Sequence, residues 1–390
     1  MNNTLSIYVH IPFCNSKCFY CDFFSLPQTD ECKKKYINSL INEILSYKTN
    51  KQVSSIYFGG GTPSVVSEDL ICNVLETIKE NFIVKQDAEI TIEANPCSLT
   101  LEKLKKYYEA GFNRISLGVQ TTNKKSLEFI GRVYGKNLKN YKKLVKNALK
   151  NIKKVGFNNI SCDLMLGLPQ NNKKHLNSDL KFLTKFTSHI STYMLMIEEG
   201  TKLFEKLKES EKTEQQALAE YDFVLEFLRK KNFERYEVSN FAKGGAYSRH
   251  NQNYWQGGDY LGFGAGAHSH ISPIRFSNVE NVEKYIDYYS TVKPLNLNNL
   301  ESELKNINIK DFEKLSKKEY AEEAIMLSLR TSSGLDVESF TTKFYDILED
   351  KKEEINFLLE NNLIYGLPNK IILTDKGFLV ANQVILKLIK

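Results

Sequence analysis

No apolar run in this 390-residue chain approaches the roughly 18 residues that a membrane-spanning helix needs. The stretch from Met1 to Ser16 lacks the basic segment and long apolar core of a secretory signal, so a cytoplasmic protein is expected. Cysteine is sparse and odd in number: seven, at positions 14, 18, 21, 32, 72, 97 and 162, with only three clustered. That pattern excludes a disulfide framework and, in a reducing compartment, points to metal binding or redox chemistry. Charge of one sign is not in large excess. A net +6 and a pI near 8.7 are too weak to argue for nucleic acid, and none is expected as a partner. Low-complexity linkers and solenoid-length repeats are missing as well. What is there is ordinary for a globular chain, 42% hydrophobic and 26% charged, enough to build a core without staples. The length suits one large unit with a smaller one attached.

Short β-branched and aromatic runs alternate with helical-period segments, as in β/α units around a parallel sheet. The runs place six strands at Ser6–Ile11, Ser54–Phe58, Ala88–Glu93, Arg114–Val119, Ile160–Leu166 and Thr192–Ile197. Helices are expected between them at Cys32–Ser46, Glu68–Asn81, Leu101–Ala110, Lys125–Ile130, Lys139–Val155 and His175–Phe186. A helix over Lys202–Lys231 and a strand near Arg235–Val238 follow. Six repeats predict a partial (β/α)6 barrel, short of the eight of a closed TIM barrel. The expected division is a barrel over 1–240, a glycine-rich connecting region over 241–300, and an accessory domain over 301–390. In the last, helices at Tyr320–Arg330, Val337–Tyr345 and Lys352–Asn361, a hairpin around Gly366-Leu367-Pro368 and a closing helix fit a winged-helix-like α+β fold. Residues 136–154 carry eight lysines and no acid, but Leu138, Tyr141, Val145, Leu149 and Ile152 recur beneath them at helical spacing. A solvated helix face explains that run better than a nucleic-acid groove.

The chemistry concentrates directly after the first strand, in Cys14-Asn-Ser-Lys-Cys18-Phe-Tyr-Cys21. Active sites of parallel barrels sit at the C-terminal strand ends, so this loop stands in the functional position. Thiolates at such short spacing suit zinc or an iron–sulfur cluster. Zinc would want a fourth ligand, for which only His10 or Asp22 offers itself. Three thiolates on four irons would leave one iron open to chelate the amino and carboxylate groups of S-adenosylmethionine (SAM) and feed an electron to its sulfonium. Gly59-Gly-Gly-Thr-Pro63 ends the second strand without the Gly-Lys-Ser/Thr of a P-loop, so phosphate binding is not expected there. Glu93, Gln120 and Asp163 fall in successive strands and aim at one barrel mouth.

These segments, with Tyr8-Val-His-Ile-Pro-Phe-Cys14, Glu93-Ala-Asn-Pro96, Ser116-Leu-Gly-Val-Gln120, Gly131-Arg132 and Asp163-Leu-Met-Leu-Gly-Leu-Pro169, resemble the radical-SAM superfamily. Within it they resemble the oxygen-independent coproporphyrinogen III oxidases and their HemW-like haem-chaperone relatives, over about residues 6–280. The resemblance implies a [4Fe-4S] cluster on Cys14, Cys18 and Cys21. It also implies SAM contacts at Tyr8, Tyr20, Gly60, Gly61, Thr62, Glu93, Gln120, Arg132 and Asp163. The chain departs from the family's pattern at Tyr134, where a histidine is usual.

Two features separate the relatives. The oxidases carry a further cysteine two residues after the third ligand, where this chain has Phe23. His250-Asn-Gln-Asn-Tyr-Trp255 matches the HNxxYW signature of the haem-chaperone branch and holds the chain's one tryptophan. The resemblance therefore implies a chaperone that carries haem and hands it to an acceptor protein such as a respiratory enzyme. The alternative is an oxidase that decarboxylates coproporphyrinogen III by radical chemistry; no catalytic residue is assigned for it. His250 is a candidate haem ligand, imidazole being a usual axial group; the competing reading is that it caps or hydrogen-bonds the glycine-rich loop. Formation of a homodimer is open to the chain, although no interface is legible in one sequence.

Overall fold

The computed structural model describes residues 3–132, 140–206, 214–297, 300–303, 309–344 and 346–389. The six expected strands form as β1 (Thr4–Ile11), β2 (Gln52–Gly60), β3 (Ile83–Ala94), β4 (Arg114–Gln120), β5 (Asn159–Leu166) and β6 (His189–Met194). They pair in chain order through parallel ladders. Between them run α1 (Asp30–Ser46), α2 (Glu68–Asn81), α3 (Leu101–Ala110), α4 (Lys124–Phe129), α5 (Tyr141–Val155) and α6 (Lys173–Leu183). Thr29, Thr100, Asn123 and Asn172 start α1, α3, α4 and α6 by accepting backbone N–H groups on their side chains. In α5 the apolar stripe Tyr141, Val145, Leu149 and Ile152 is buried, while Lys142, Lys143, Lys146, Lys150, Lys153 and Lys154 stay exposed. Tyr134 and the start of the lysine run lie outside the described residues.

The two faces of this sheet differ in chemistry. Ile7, Val9, Ile56, Phe58, Ile90, Ile92, Ile115, Leu117, Ile160, Cys162 and Ile190 belong to one large apolar core. The alternate positions Tyr57, Glu93, Arg114, Ser116, Ser161, Asp163, His189, Ser191 and Tyr193 line a cavity on the other face. A parallel sheet covered on both faces reads as continuous hydrophobic strands. The alternation seen here reserves one face for ligands.

The sheet extends beyond the six strands at both edges. At one edge β7 (Glu234–Arg235) and β8 (Asn240–Ala242) form an antiparallel pair joined to β6, in place of the strand expected at Arg235–Val238. At the other, β9 (Tyr260–Phe263) adds to β1 in parallel, followed by antiparallel β10 (His268–Ile271), β11 (Ile274–Asn278) and β12 (Ile309–Lys314). Among the described residues the order is β12-β11-β10-β9-β1-β2-β3-β4-β5-β6-β8-β7. The glycine-rich stretch expected as a connection thus supplies part of the sheet. Glu43 of α1 ties it down, accepting from Gly264 N at 2.7 Å, Asn278 Nδ2 at 2.6 Å and Tyr285 Oη at 2.5 Å. Burial pushes that carboxyl up to about 7 despite these bonds. The helix expected over Lys202–Lys231 is seen as α7 (Lys202–Lys206) and α8 (Glu214–Arg229), with 207–213 outside the described residues.

The C-terminal segment runs helix (Lys317–Ser328), strand (Leu335–Asp336), helix (Val337–Phe344), helix (Lys352–Glu360), then the hairpin Ile364–Tyr365 and Lys370–Leu373. That is the element order of a winged helix, as expected. Short helices Asp375–Leu379 and Ala381–Ile389 close it. It has its own core of Ile325, Leu329, Phe340, Leu358, Ile371 and Leu388. Asp375 clamps it to the sheet edge, bonded by Arg229 and Arg235 at 2.8 Å each.

Candidate functional site

The cysteine loop leaves the end of β1 and is anchored through its backbone. Cys14 N donates to Leu26 O at 3.2 Å, Phe19 N to Ile130 O at 2.9 Å, and Leu203 N to Phe19 O at 2.8 Å. The glycine run after β2 packs directly beneath it: Gly61 N donates to Ile11 O at 3.0 Å and Thr62 N to Phe13 O at 2.8 Å. A Cβ on Gly61 would stand 2.7 Å from Phe13 O, so only glycine lets the two loops meet. Thr62 Oγ1 lies 3.6 Å from Cys14 Sγ. All three clustered cysteines are free thiols and partly exposed to the cavity.

This cavity encloses about 470 Å³, well sized for a small-molecule cofactor. Cys14, Cys18, Cys21, Tyr20, Gly60, Gly61, Thr62, Glu93, Gln120, Arg132 and Asp163 all line it. Glu93 accepts from Tyr57 Oη at 2.7 Å, Gln120 Oε1 from Tyr193 Oη at 2.6 Å, and Arg132 Nη2 donates to Gly118 O at 2.5 Å. Gln120 takes a φ of 67°, a left-handed conformation uncommon outside glycine.

The electrostatics follow from burial. Desolvation, then the negative charge of Asp163, raises Glu93 to about 7 against the Tyr57 hydrogen bond. Desolvation raises Asp163 to about 6, opposed by Arg132, Arg114 and Ser116. Burial likewise raises Tyr20, Cys18 and Cys21, and Cys18 and Cys21 each also feel Cys14 as a like charge. Two carboxyl groups held above their ordinary range are poised to gain from a cationic ligand between them.

Tyr8, expected as a SAM contact, and His250, a candidate haem ligand, do not line this cavity. Tyr8 faces a second cavity behind the loop and bonds His10 Nδ1 at 3.0 Å. His250, in α9 (Arg249–Trp255), is 1% exposed, with Nδ1 2.9 Å from Ser55 Oγ and Nε2 2.9 Å from Tyr254 Oη. Burial lowers its pKa to about 3, so it is a neutral core imidazole with both nitrogens engaged. Of the two readings of His250, this geometry fits the one in which the ring is a hydrogen-bonded structural residue: it ties α9 to β2. Glu89 caps that helix by accepting from Arg249 N and His250 N and stands 3.7 Å from buried Arg114, a cavity-lining residue. Arg114, Tyr193, Asn240 and Asn251 also line the cavity and went unnoticed in the sequence. For Arg114 and Tyr193 the period-2 polarity of β4 and β6 was the available signal. Asn240 and Asn251 had none beyond residue type.

The donor set fits a cluster better than a single ion. Among the described residues no three His, Cys, Asp or Glu side chains converge on a mononuclear position. His10, one candidate for a fourth zinc ligand, has both nitrogens engaged, with Tyr8 and with Phe24 O at 3.0 Å. Three thiols spread along one loop suit a core whose irons are bound one thiolate each.

Comparison with known proteins agrees with this geometry. Residues 8–183 match the model of the radical SAM superfamily, and residues 315–380 that of the HemN C-terminal domain. "Heme chaperone HemW" of Lactococcus lactis is 36% identical over 97% of this chain and 96% of its own length. "Heme chaperone HemW" of Bacillus subtilis is 34% identical over 97% of both. The structure of coproporphyrinogen III oxidase (HemN) from Escherichia coli superposes with a TM-score of 0.81 over 99% of this chain and 90% of its own, at 22% identity, a likeness of fold.

Proposed function

The chain belongs to the HemW family of radical SAM proteins, and on that footing we propose that it is a haem chaperone. In this reading it carries a [4Fe-4S] cluster and SAM, binds haem and passes it to an acceptor protein such as a respiratory enzyme. The observation that carries the reading is the opening of three thiols on one loop into a polar, strand-lined cavity of a HemW relative. Cys14, Cys18 and Cys21 hold the cluster. Thr62, with its Oγ1 near Cys14 Sγ, and the backbone of Gly60 and Gly61 would flank the bound cofactor along the cavity wall. When bound, the cluster supplies one-electron reduction of SAM. Glu93 and Asp163 receive the cationic part of SAM, and Gln120 and Arg132 fix its polar groups.

Phe23 stands where the oxidases carry a further cysteine, and its ring is 71% exposed at the cavity mouth. That side chain favours the chaperone over the oxidase. Free thiols throughout the chain suit a reducing compartment such as the cytoplasm. No described helix is long and apolar enough to cross a membrane. The test is anaerobic reconstitution with iron and sulfide followed by haem titration. A Soret shift that saturates at stoichiometric haem is expected; its absence rejects the reading.

A further inference from the structure

Behind the cysteine loop lies a second cavity of about 590 Å³, bounded by β1, β10 and the C-terminal helix Lys317–Ser328. It shares Phe23 with the cluster cavity. Tyr8, Phe24, Tyr254, Tyr260, Met326 and Leu327 give it flat aromatic and flexible apolar walls, surfaces suited to a macrocycle face.

The histidines single out one wall. Of the chain's six, His10, His189 and His250 have both ring nitrogens engaged. His175 is outside the cavity, against Asn123. The remaining two, His268 and His270, lie two residues apart on β10 and both line the cavity. His268 is exposed and makes no side-chain hydrogen bond among the described residues. His270 is 2% exposed, with Nε2 buried without a partner and the ring held by a backbone bond to Gly258. A buried unpartnered nitrogen costs stability on its own, as ligand sites often do. Arg275 of β11 also lines the cavity and is ion-paired with Glu323 of the C-terminal helix. The guanidinium therefore straps that helix across the opening.

We propose that haem docks in this second cavity, with His268 on its iron and Arg275 on a propionate. The proposal rests on the haem-chaperone reading and names the site it leaves open. His268 presents an exposed imidazole at the wall, a usual axial donor for haem iron. The propionate replaces Glu323 on Arg275, a carboxylate for a carboxylate, so haem entry loosens the C-terminal helix. Phe23 then separates the porphyrin from the cluster cavity.

The experiment is haem titration of the reconstituted full chain and of His268→Ala, His270→Ala and Arg275→Gln, read by Soret position, iron spin state and affinity, with circular dichroism as the folding control. For His268→Ala a changed spin state and at least a tenfold loss of affinity are expected, reversed by added imidazole. Arg275→Gln is expected to weaken binding several-fold with the Soret position kept. If the parent chain binds haem and His268→Ala matches it in spectrum and affinity, the site assignment is overturned while the chaperone reading stands. The assignment is overturned equally if only His270→Ala changes the spectrum. If the parent chain binds no haem, both fall.

Discussion

Burial, reinforced by the negative charge of Asp163 on β5, holds the carboxyl of Glu93 on β3 above its ordinary range in the cluster cavity. Arg132 and Arg114 moderate Asp163 without offsetting its burial. Such a pair is strained alone and relieved by a positively charged ligand.

Glu93→Gln tests that strain. The folded chain holds the Glu93 proton more tightly than the unfolded chain, with about 7 against an ordinary 4.5. Its contribution to stability is therefore full below the ordinary value and lost as pH rises through 7. In cluster-free protein, Glu93→Gln is expected to gain about 3 kcal/mol at pH 8, and much less at pH 5, where the native acid is protonated. Tyr57 can still donate to the amide oxygen. SAM binding, followed by equilibrium dialysis of the reconstituted protein, is expected to weaken at least tenfold.

Replacing any of Cys14, Cys18 or Cys21 by alanine is expected to abolish the broad visible absorbance of the reconstituted protein and most of its bound iron. Cys97 is exposed and lies off the cysteine loop. Cys97→Ala is expected to retain full iron and sulfide content, which separates ligands from bystanders.

Gly61→Ala presses a methyl group against Phe13 O. The expected outcome is a folded chain with little change in circular dichroism but a cluster lost several-fold faster under a chelator, because the cysteine loop is displaced from Thr62.

His250→Ala removes an imidazole bonded to Ser55 and Tyr254 in the core. A loss of about 2–4 kcal/mol is expected from the cavity and the lost partner of Tyr254 Oη, Ser55 Oγ keeping its bond to Ser6 Oγ. Denaturant unfolding measures it. Haem affinity of the folded fraction is expected to stay within about twofold, since the ring does not line either cavity.

The six central strands and their helices were legible because both periods are local: apolar residues every second position in strands, every third or fourth in helices. The cysteine spacing and the strand-end acids were legible for the same reason. The strand Tyr260–Phe263 was not. It is four residues long, contains Gly262, and is made a strand by pairing with β1, a tertiary contact that no window of sequence reports. For His250 the motif left two readings open, because it marks a family, whereas the ring's hydrogen bond to Ser55 spans 195 positions. The second cavity was invisible for a related reason: its walls come from β1, β10 and the C-terminal helix, which only the folded sheet brings together.

The central claim is transfer. The full chain, reconstituted anaerobically and loaded with haem, is mixed with a haem-depleted acceptor such as a respiratory cytochrome, and the Soret bands of both are followed. Haem is expected to leave the chain and appear in the acceptor faster than haem supplied free in solution. Transfer no faster than from free haem would contradict the account.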